Sequence, residues 1–175
     1  GVYNKETAKF YAKKTYLKDE VASFIHDVKK EINALSRIIQ GEEEDLLKIY
    51  FIEHKPEESL SIIMEYGHGS VEDYIDFLNS TNRKLEIEEL EDIFFQIYKQ
   101  LETLKKLKMY HRDVKPSNII ITEDWNFKLV DYGLAACYDQ DFNSNDTYLV
   151  NIAGTAYFWN SIITKAYDDD KYTLR

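Results

Sequence analysis

The stretch from His111 to Gly133 constrains the fold more than any other part of this 175-residue chain. It opens with HRDVKPSN (residues 111–118). An apolar run Ile119–Ile121, the turn-prone Glu123-Asp124-Trp125-Asn126 and a second apolar run at 127–130 then lead to Asp131-Tyr132-Gly133. Two short apolar runs separated by a turn signal predict a hairpin. A hairpin returns the chain to its starting end, so Asp113, Asn118 and Asp131 are expected together at one end of a small sheet. Charged groups are rarely buried without partners, which makes this cluster poor core material and a good candidate site. Carboxylates beside an amide carbonyl suit Mg²⁺, a hard cation that takes oxygen ligands and accompanies substrate phosphates. Lys115 adds positive charge for a phosphoryl group, and Asp113 can accept a hydroxyl proton. Together these residues describe phosphoryl transfer, where positioning and charge neutralisation supply most of the catalysis.

Composition narrows the setting. The chain is 44% hydrophobic and 31% charged, an ordinary balance for a soluble globular domain with a real core. No apolar run reaches the roughly 18–20 residues of a membrane span and no leader pattern opens the chain, so no membrane association is expected. A lone Cys137 rules out an internal disulfide and a cysteine zinc site, and a reducing intracellular setting, the cytoplasm, is expected. With 22 Lys and Arg against 32 Asp and Glu the net charge is −10. Nucleic-acid binding calls for clustered basic residues, so no nucleic-acid partner is expected. The acidic runs at 42–45 and 168–170 read as solvated loops.

Hydrophobic periodicity changes along the chain. Gly1-Val2-Tyr3 and Lys9-Phe10-Tyr11-Ala12 read as strands joined by Asn4-Lys5-Glu6-Thr7. Val21, Phe24, Ile25, Val28, Ile32, Leu35 and Ile38 recur at steps of three and four, an amphipathic helix. Apolar runs at 46–52 and 60–65 predict a hairpin. After the turn Gly67-His68-Gly69, Ser70 and Asp73 form a capping-box variant for a short helix. A long helix is predicted from about 88 to 106, with Leu90, Ile93, Phe94, Ile97, Leu101 and Leu104 on one face. Strands with one helix first and mostly helix afterwards predict two lobes, linked at 65–69.

HRDVKPSN followed by DYG resembles the catalytic loop and magnesium-binding motif of eukaryotic protein kinases. The resemblance extends over nearly the whole chain, in order. Tyr11-Ala12-Lys13-Lys14 is similar to the family's VAIK strand, and this implies that Lys14 contacts the α- and β-phosphates of ATP. Moving the frame by one would select Lys13, but the Ala-x-Lys spacing favours Lys14. Lys30-Glu31-Ile32 matches the family's helix glutamate, which implies a pair between Glu31 and Lys14. Met64-Glu65-Tyr66-Gly67 resembles gatekeeper and hinge, with backbone groups of Glu65 and Gly67 bonding adenine between Val2, Ala12 and Ile120. Asp113, Lys115, Asn118 and Thr155 are then the implied catalytic residues, with Asn118 and Asp131 as metal ligands.

The resemblance implies an α+β, two-lobed kinase-like fold with an incomplete helical lobe. Residues 1–66 correspond to a small lobe without most of its glycine-rich loop, and 67–175 to the large lobe through the activation segment. Lys115 and Thr155 resemble the serine/threonine branch, which implies transfer of the γ-phosphoryl group of ATP, with Mg²⁺, to protein Ser or Thr. Arg112 suggests a pocket for an activation-loop phosphate, with Ser144 or Thr147 as acceptors and Asp139, Asp141 and Asp146 as partial mimics. After Gly154-Thr155 the chain departs from the family: Asn160-Ser161-Ile162 stands where Ala-Pro-Glu is usual. A regulatory partner covering the incomplete lobe is expected, and a non-catalytic nucleotide- or partner-binding module is the alternative function. His111 is expected to lie beneath the catalytic loop next to Tyr132.

Overall fold

The computed structural model describes residues 1–17, 25–55, 58–138, 148–149, 155 and 173–174. The architecture is α+β in two lobes. In the first lobe β1 (Val2–Asn4) and β2 (Lys9–Leu17) form an antiparallel hairpin, with Asn4 Oδ1 accepting the backbone N–H groups of Glu6 and Thr7 in the turn. β2 runs five residues beyond the expected strand, because it pairs with β4 (Ser59–Glu65) from Tyr11↔Glu65 to Leu17↔Ser59. β3 (Ile49–Lys55) closes the sheet in the order β1-β2-β4-β3. Leu46 and Leu47, expected at the start of that last strand, lie in the preceding loop and are buried in the core. Helix α1 (Ile25–Gly41) lays Ala34, Leu35 and Ile38 into the same core.

The second lobe begins with β5 (Gly69–Ser70) and α2 (Val71–Ser80). The capping box forms as the spacing predicts: Asp73 N–H donates to Ser70 Oγ, and Ser70 N–H donates to Asp73 Oδ2. Helix α3 (Ile87–Lys106) leads through β6 (Met109–Tyr110) into the HRDVKPSN loop. β7 (Ile119–Ile121) and β8 (Phe127–Leu129) then form the expected hairpin in the register Ile119↔Leu129 and Ile121↔Phe127. β9 (Ala136–Cys137) pairs with β6, and β10 (Tyr148–Leu149) with β11 (Thr173–Leu174).

The apolar stripe of α3 is buried along one edge and exposed along the other. Ile93, Ile97 and Leu104 are buried with Gln100 and Thr103, whereas Leu90, Phe94 and Leu101 stay exposed, Phe94 at 66%. Gln100 is buried because of its hydrogen bonds. β8 presents a backbone edge to the helix, and buried backbone groups need partners. Gln96 Oε1 accepts the Phe127 N–H at 2.9 Å, and Gln100 Oε1 accepts the Leu129 N–H at 2.8 Å while its Nε2 donates back to the Phe127 carbonyl. Two glutamines one helical turn apart thus take the place of a neighbouring strand. Among the described residues no helix is long and apolar enough to cross a membrane.

Candidate functional site

Two charged clusters, each pairing a lysine with a carboxylate, make up the candidate site. The upper one is built by β2 and α1. Successive side chains of a strand point to opposite faces, so Lys13 and Lys14 cannot share a partner. Lys13 reaches Glu53 at 3.5 Å, and Lys14 Nζ donates to Glu31 Oε1 at 2.7 Å and Oε2 at 3.0 Å. The Ala-x-Lys spacing and the strand periodicity select the same lysine. The Lys14 ammonium also lies 3.3 Å from Asp131 Oδ1, which brings the DYG aspartate to this pair. Burial alone would lower the Lys14 pKa. Hydrogen bonds with Glu31 and Tyr16, and the charges of Glu31 and Asp131, outweigh it and hold the pKa above the ordinary lysine value.

The lower cluster belongs to the HRDVKPSN loop. Asp113 is buried and its carboxylate is bonded on both oxygens. Oδ1 accepts the Thr155 N–H at 2.8 Å and the Thr155 hydroxyl at 2.7 Å. Oδ2 meets Lys115 Nζ at 2.8 Å and Asn118 Nδ2 at 2.9 Å. Lys115 Nζ also donates to Thr155 Oγ1 at 2.7 Å, so lysine, threonine and aspartate close a ring of three contacts. Desolvation pushes the Asp113 pKa up. The bonds from Lys115 and Thr155 win, and the carboxyl titrates below its ordinary range. It is ionised at neutral pH and aimed at whatever displaces Thr155 or Lys115 from it.

The loop is fixed from beneath by His111, as its sequence position suggests. Its ring centroid is 5.0 Å from that of Tyr132, which is fully buried. His111 Nε2 lies 2.9 Å from the Val130 carbonyl, while Nδ1 accepts the Asp113 N–H at 3.3 Å. One neutral tautomer, protonated at Nε2, satisfies both bonds, and desolvation keeps the ring neutral by lowering its pKa. Two strained backbones shape the site: Arg112 and Asp131 adopt positive φ of 69° and 63°, an uncommon region for residues other than glycine. Arg112 Nε donates to the Leu134 carbonyl at 2.7 Å. The proposed acceptors Ser144 and Thr147, the acids Asp139, Asp141 and Asp146, Gly154 and the segment 160–162 lie outside the described residues.

The apolar positions expected to hold a purine lie on β1, β2, β4 and β7. Ala12 stands opposite Met64 in the β2–β4 pairing, and Val2 opposite Tyr11 in β1–β2. Gly67 presses on Ile120 so closely that a Cβ at 67 would come within 2.7 Å of the isoleucine Cβ, a position only glycine fits. The Glu65 N–H is already donated to the Lys48 carbonyl at 2.9 Å, so that group is not offered to a ligand.

The residues expected to hold a cation are Asn118 and Asp131. Asn118 spends its Nδ2 on the Asp113 carbonyl and carboxylate, both at 2.9 Å, which leaves its Oδ1 as the accepting atom. Asp131 is half exposed and meets Lys14 through one oxygen. No group of three or more His, Cys, Asp or Glu that could hold a metal occurs among the described residues. An amide oxygen and one carboxylate fit Mg²⁺, which keeps waters and shares substrate phosphates instead of needing a full protein cage.

Two contributors escape a reading of the sequence. Lys128 on β8 is buried, and its ammonium donates to the backbone carbonyls of Glu44 at 2.8 Å and Asp45 at 2.9 Å. It ties the loop after α1 to the hairpin that carries Asp131. Tyr16 on β2 donates its hydroxyl to Glu31 Oε2. A lysine and a tyrosine in alternating strands carry no signal of either contact.

A family model described as protein kinase domain matches residues 1–171. The chain is 31% identical over 158 residues to the serine/threonine-protein kinase KIC1 of Saccharomyces cerevisiae, covering 89% of this chain and 13% of that protein. It is 30% identical over 133 residues to serine/threonine-protein kinase 4 homolog B of Dictyostelium discoideum, covering 75% of this chain and 11% of the relative. Against serine/threonine-protein kinase dst1 of the same organism it is 31% identical over 135 residues, covering 77% and 17%. The chain therefore spans less than a fifth of the length of these relatives.

Proposed function

The chain belongs to the protein kinase family, and from that premise we propose that it transfers the γ-phosphoryl group of ATP to serine or threonine hydroxyls of protein substrates. The observation that carries this reading is the closed ring of Asp113, Lys115 and Thr155, with Asn118 bonded beneath it. A ring of this kind holds one carboxylate ionised in a fixed direction and one ammonium at its side, as phosphoryl transfer to a hydroxyl requires.

In this reading Asp113 orients the acceptor hydroxyl and takes its proton as the new P–O bond forms. Its low pKa makes it a weak base, so its main contribution is alignment, with proton uptake late. Lys115 shifts from Asp113 and Thr155 towards the transferred group and neutralises its charge. Lys14, presented by Glu31, holds the α- and β-phosphates. Mg²⁺ bound through Asn118 and Asp131 would neutralise the β- and γ-phosphate oxygens. Val2, Ala12, Met64 and Ile120 enclose the adenine, which donates to the Glu65 carbonyl and bonds the backbone of Gly67. Protein substrates are the partners; the names of the relatives above, all serine/threonine-protein kinases, support that class.

The test is incorporation of labelled phosphate from Mg-ATP into a generic protein substrate, followed by phosphoamino-acid analysis. Phosphoserine or phosphothreonine from the native chain, and loss of it in Asp113→Asn, is the expected result. Equal incorporation by both proteins, or phosphotyrosine alone, overturns the reading.

A further inference from the structure

The Glu31 carboxylate is almost wholly buried, at 5% exposure, and holds more than its lysine. Lys14 and Tyr16 are two residues apart on β2 and so lie on one face of the strand. The tyrosine hydroxyl donates to Glu31 Oε2, while Lys14 donates to Oε1 at 2.7 Å and to Oε2 at 3.0 Å. The ammonium in turn stands 5.2 Å from the centroid of the tyrosine ring, within cation–π range. Tyr16 is anchored by its backbone pairing with Leu60 in β4 and by packing of its ring on the core. No position assigned by the family resemblance falls on Tyr16.

A lysine that serves phosphates must divide its donors between them and its own glutamate. When Lys14 turns towards a ligand or towards Asp131, 3.3 Å away, a buried carboxylate would lose part of its compensation, which is costly. A second, neutral donor that does not move with the ligand removes that cost. We propose that Tyr16 is a positioning residue of the nucleotide site, whose hydroxyl holds Glu31 in the orientation that presents Lys14 to the phosphates. The hydroxyl is suited to this role because it remains a donor at any working pH: burial, then its bond to Glu31, pushes its pKa up to about 12. The inference rests on the reading of Lys14 and Glu31 as the nucleotide clamp.

The experiment is titration of a fluorescent ATP analogue with Mg²⁺ into the native chain and into Tyr16→Phe, Glu31→Gln, the double variant and Lys14→Met. Urea unfolding midpoints are measured in parallel. Phenylalanine keeps the ring and its packing and removes only the hydroxyl. Tyr16→Phe should weaken nucleotide binding about 10-fold, the low end for a hydrogen bond to a charged group. In the Glu31→Gln background it should add nothing further, because the two residues act through one contact. Binding by Tyr16→Phe equal to that of the native chain, or equal losses in both backgrounds, overturns the inference. Either result with a lowered urea midpoint leaves Tyr16 a purely structural residue. If Lys14→Met binds as tightly as the native chain, the nucleotide clamp itself falls. The two failures are therefore distinguishable.

Discussion

The upper and lower charge centres are built on the same plan from different distances. Each consists of a lysine, a carboxylate and a hydroxyl: Lys14, Glu31 and Tyr16 above, Lys115, Asp113 and Thr155 below. Above, lysine and hydroxyl share one strand and the carboxylate comes from a helix. Below, lysine and carboxylate share one loop and the hydroxyl comes from forty residues further along. Exposure separates them as well. The Lys14 side chain is 37% exposed and faces a half-exposed Asp131, while the Asp113 and Lys115 side chains are at 7% and 22%. Charge interactions strengthen as water is excluded. Both carboxylates are buried, Glu31 at 5% and Asp113 at 7%, so the difference lies in the lysines: Lys115 is the more sequestered, and Lys14 the more open to a ligand that arrives with its own charges.

That division can be broken directly. Asp113→Asn keeps the shape of the side chain but replaces a carboxylate oxygen with an amide, and phosphoryl transfer should fall by about 10²–10⁴-fold, the contribution of a positioned base. Nucleotide binding, which the proposal assigns to the upper centre, should be unchanged. If binding falls in step with turnover, the two centres are one unit and the comparison fails.

The next largest effect should come from the floor of the lower centre. Gln100→Leu preserves volume on α3 but strips the Leu129 N–H and the Phe127 carbonyl of their buried partner. Leaving such groups unpaired costs about 1–3 kcal/mol each, so the urea midpoint should drop clearly. β8 leads straight to Asp131, and turnover at saturating ATP should fall with it. A stability loss below about 0.5 kcal/mol, the level of an ordinary surface change, would show that the glutamine does not hold the strand.

Thr155 offers a smaller and more specific probe. Thr155→Ala removes the hydroxyl that joins Lys115 to Asp113 and should cost about 10-fold in transfer, as for one hydrogen bond to a charged group. Thr155→Ser should restore it. A serine variant as impaired as the alanine variant would place the contribution in the methyl group and its packing. It would leave the backbone N–H as the only bond from residue 155 that matters to Asp113.

The same comparison shows what can be read from a sequence. The lower centre is legible because lysine, aspartate and asparagine stand within six residues, where no folding is needed to see them together. The hairpin that adds Asp131 follows from turn chemistry, and the choice of Lys14 over Lys13 from spacing, with strand periodicity as its physical cause. Tyr16 is not legible, because a tyrosine in an alternating strand reads as packing and only the approach of α1 gives its hydroxyl a partner. Lys128 fails for the same reason: its acceptors are backbone carbonyls of Glu44 and Asp45, which have no residue identity to recognise. The stripe of α3 is read correctly at Ile93, Ile97 and Leu104, but periodicity counts apolar residues and misses Gln96 and Gln100, which bond the backbone of β8. In α3 the hydrophobic pattern gives part of the buried side, and the backbone groups of β8 add the polar side chains that pattern cannot show.

The smallest expected effect separates the two centres by pH. Lys14 has a raised pKa, so the stability it confers is present below the ordinary lysine value and is lost only in strong alkali. Asp113 has a lowered pKa, and its contribution is lost only as acid passes below the ordinary carboxylate range. His111 is different. Its folded pKa lies below the ordinary histidine value of 6.5, so below that pH the unfolded chain takes up a proton that the folded chain resists. Its contribution is complete above 6.5 and is lost as the pH falls. Of these three groups only His111, under the lower centre, responds between pH 7 and pH 5. One proton limits the slope to about 1.4 kcal/mol per pH unit. Unfolding free energies from urea titrations at several pH values should therefore decline across this window. In His111→Phe the chain should start less stable, because the Val130 carbonyl and the Asp113 N–H lose their partner, but the decline should be shallower. A variant that declines as steeply as the native chain would mean that the ring is not the buried neutral group on which the catalytic loop rests.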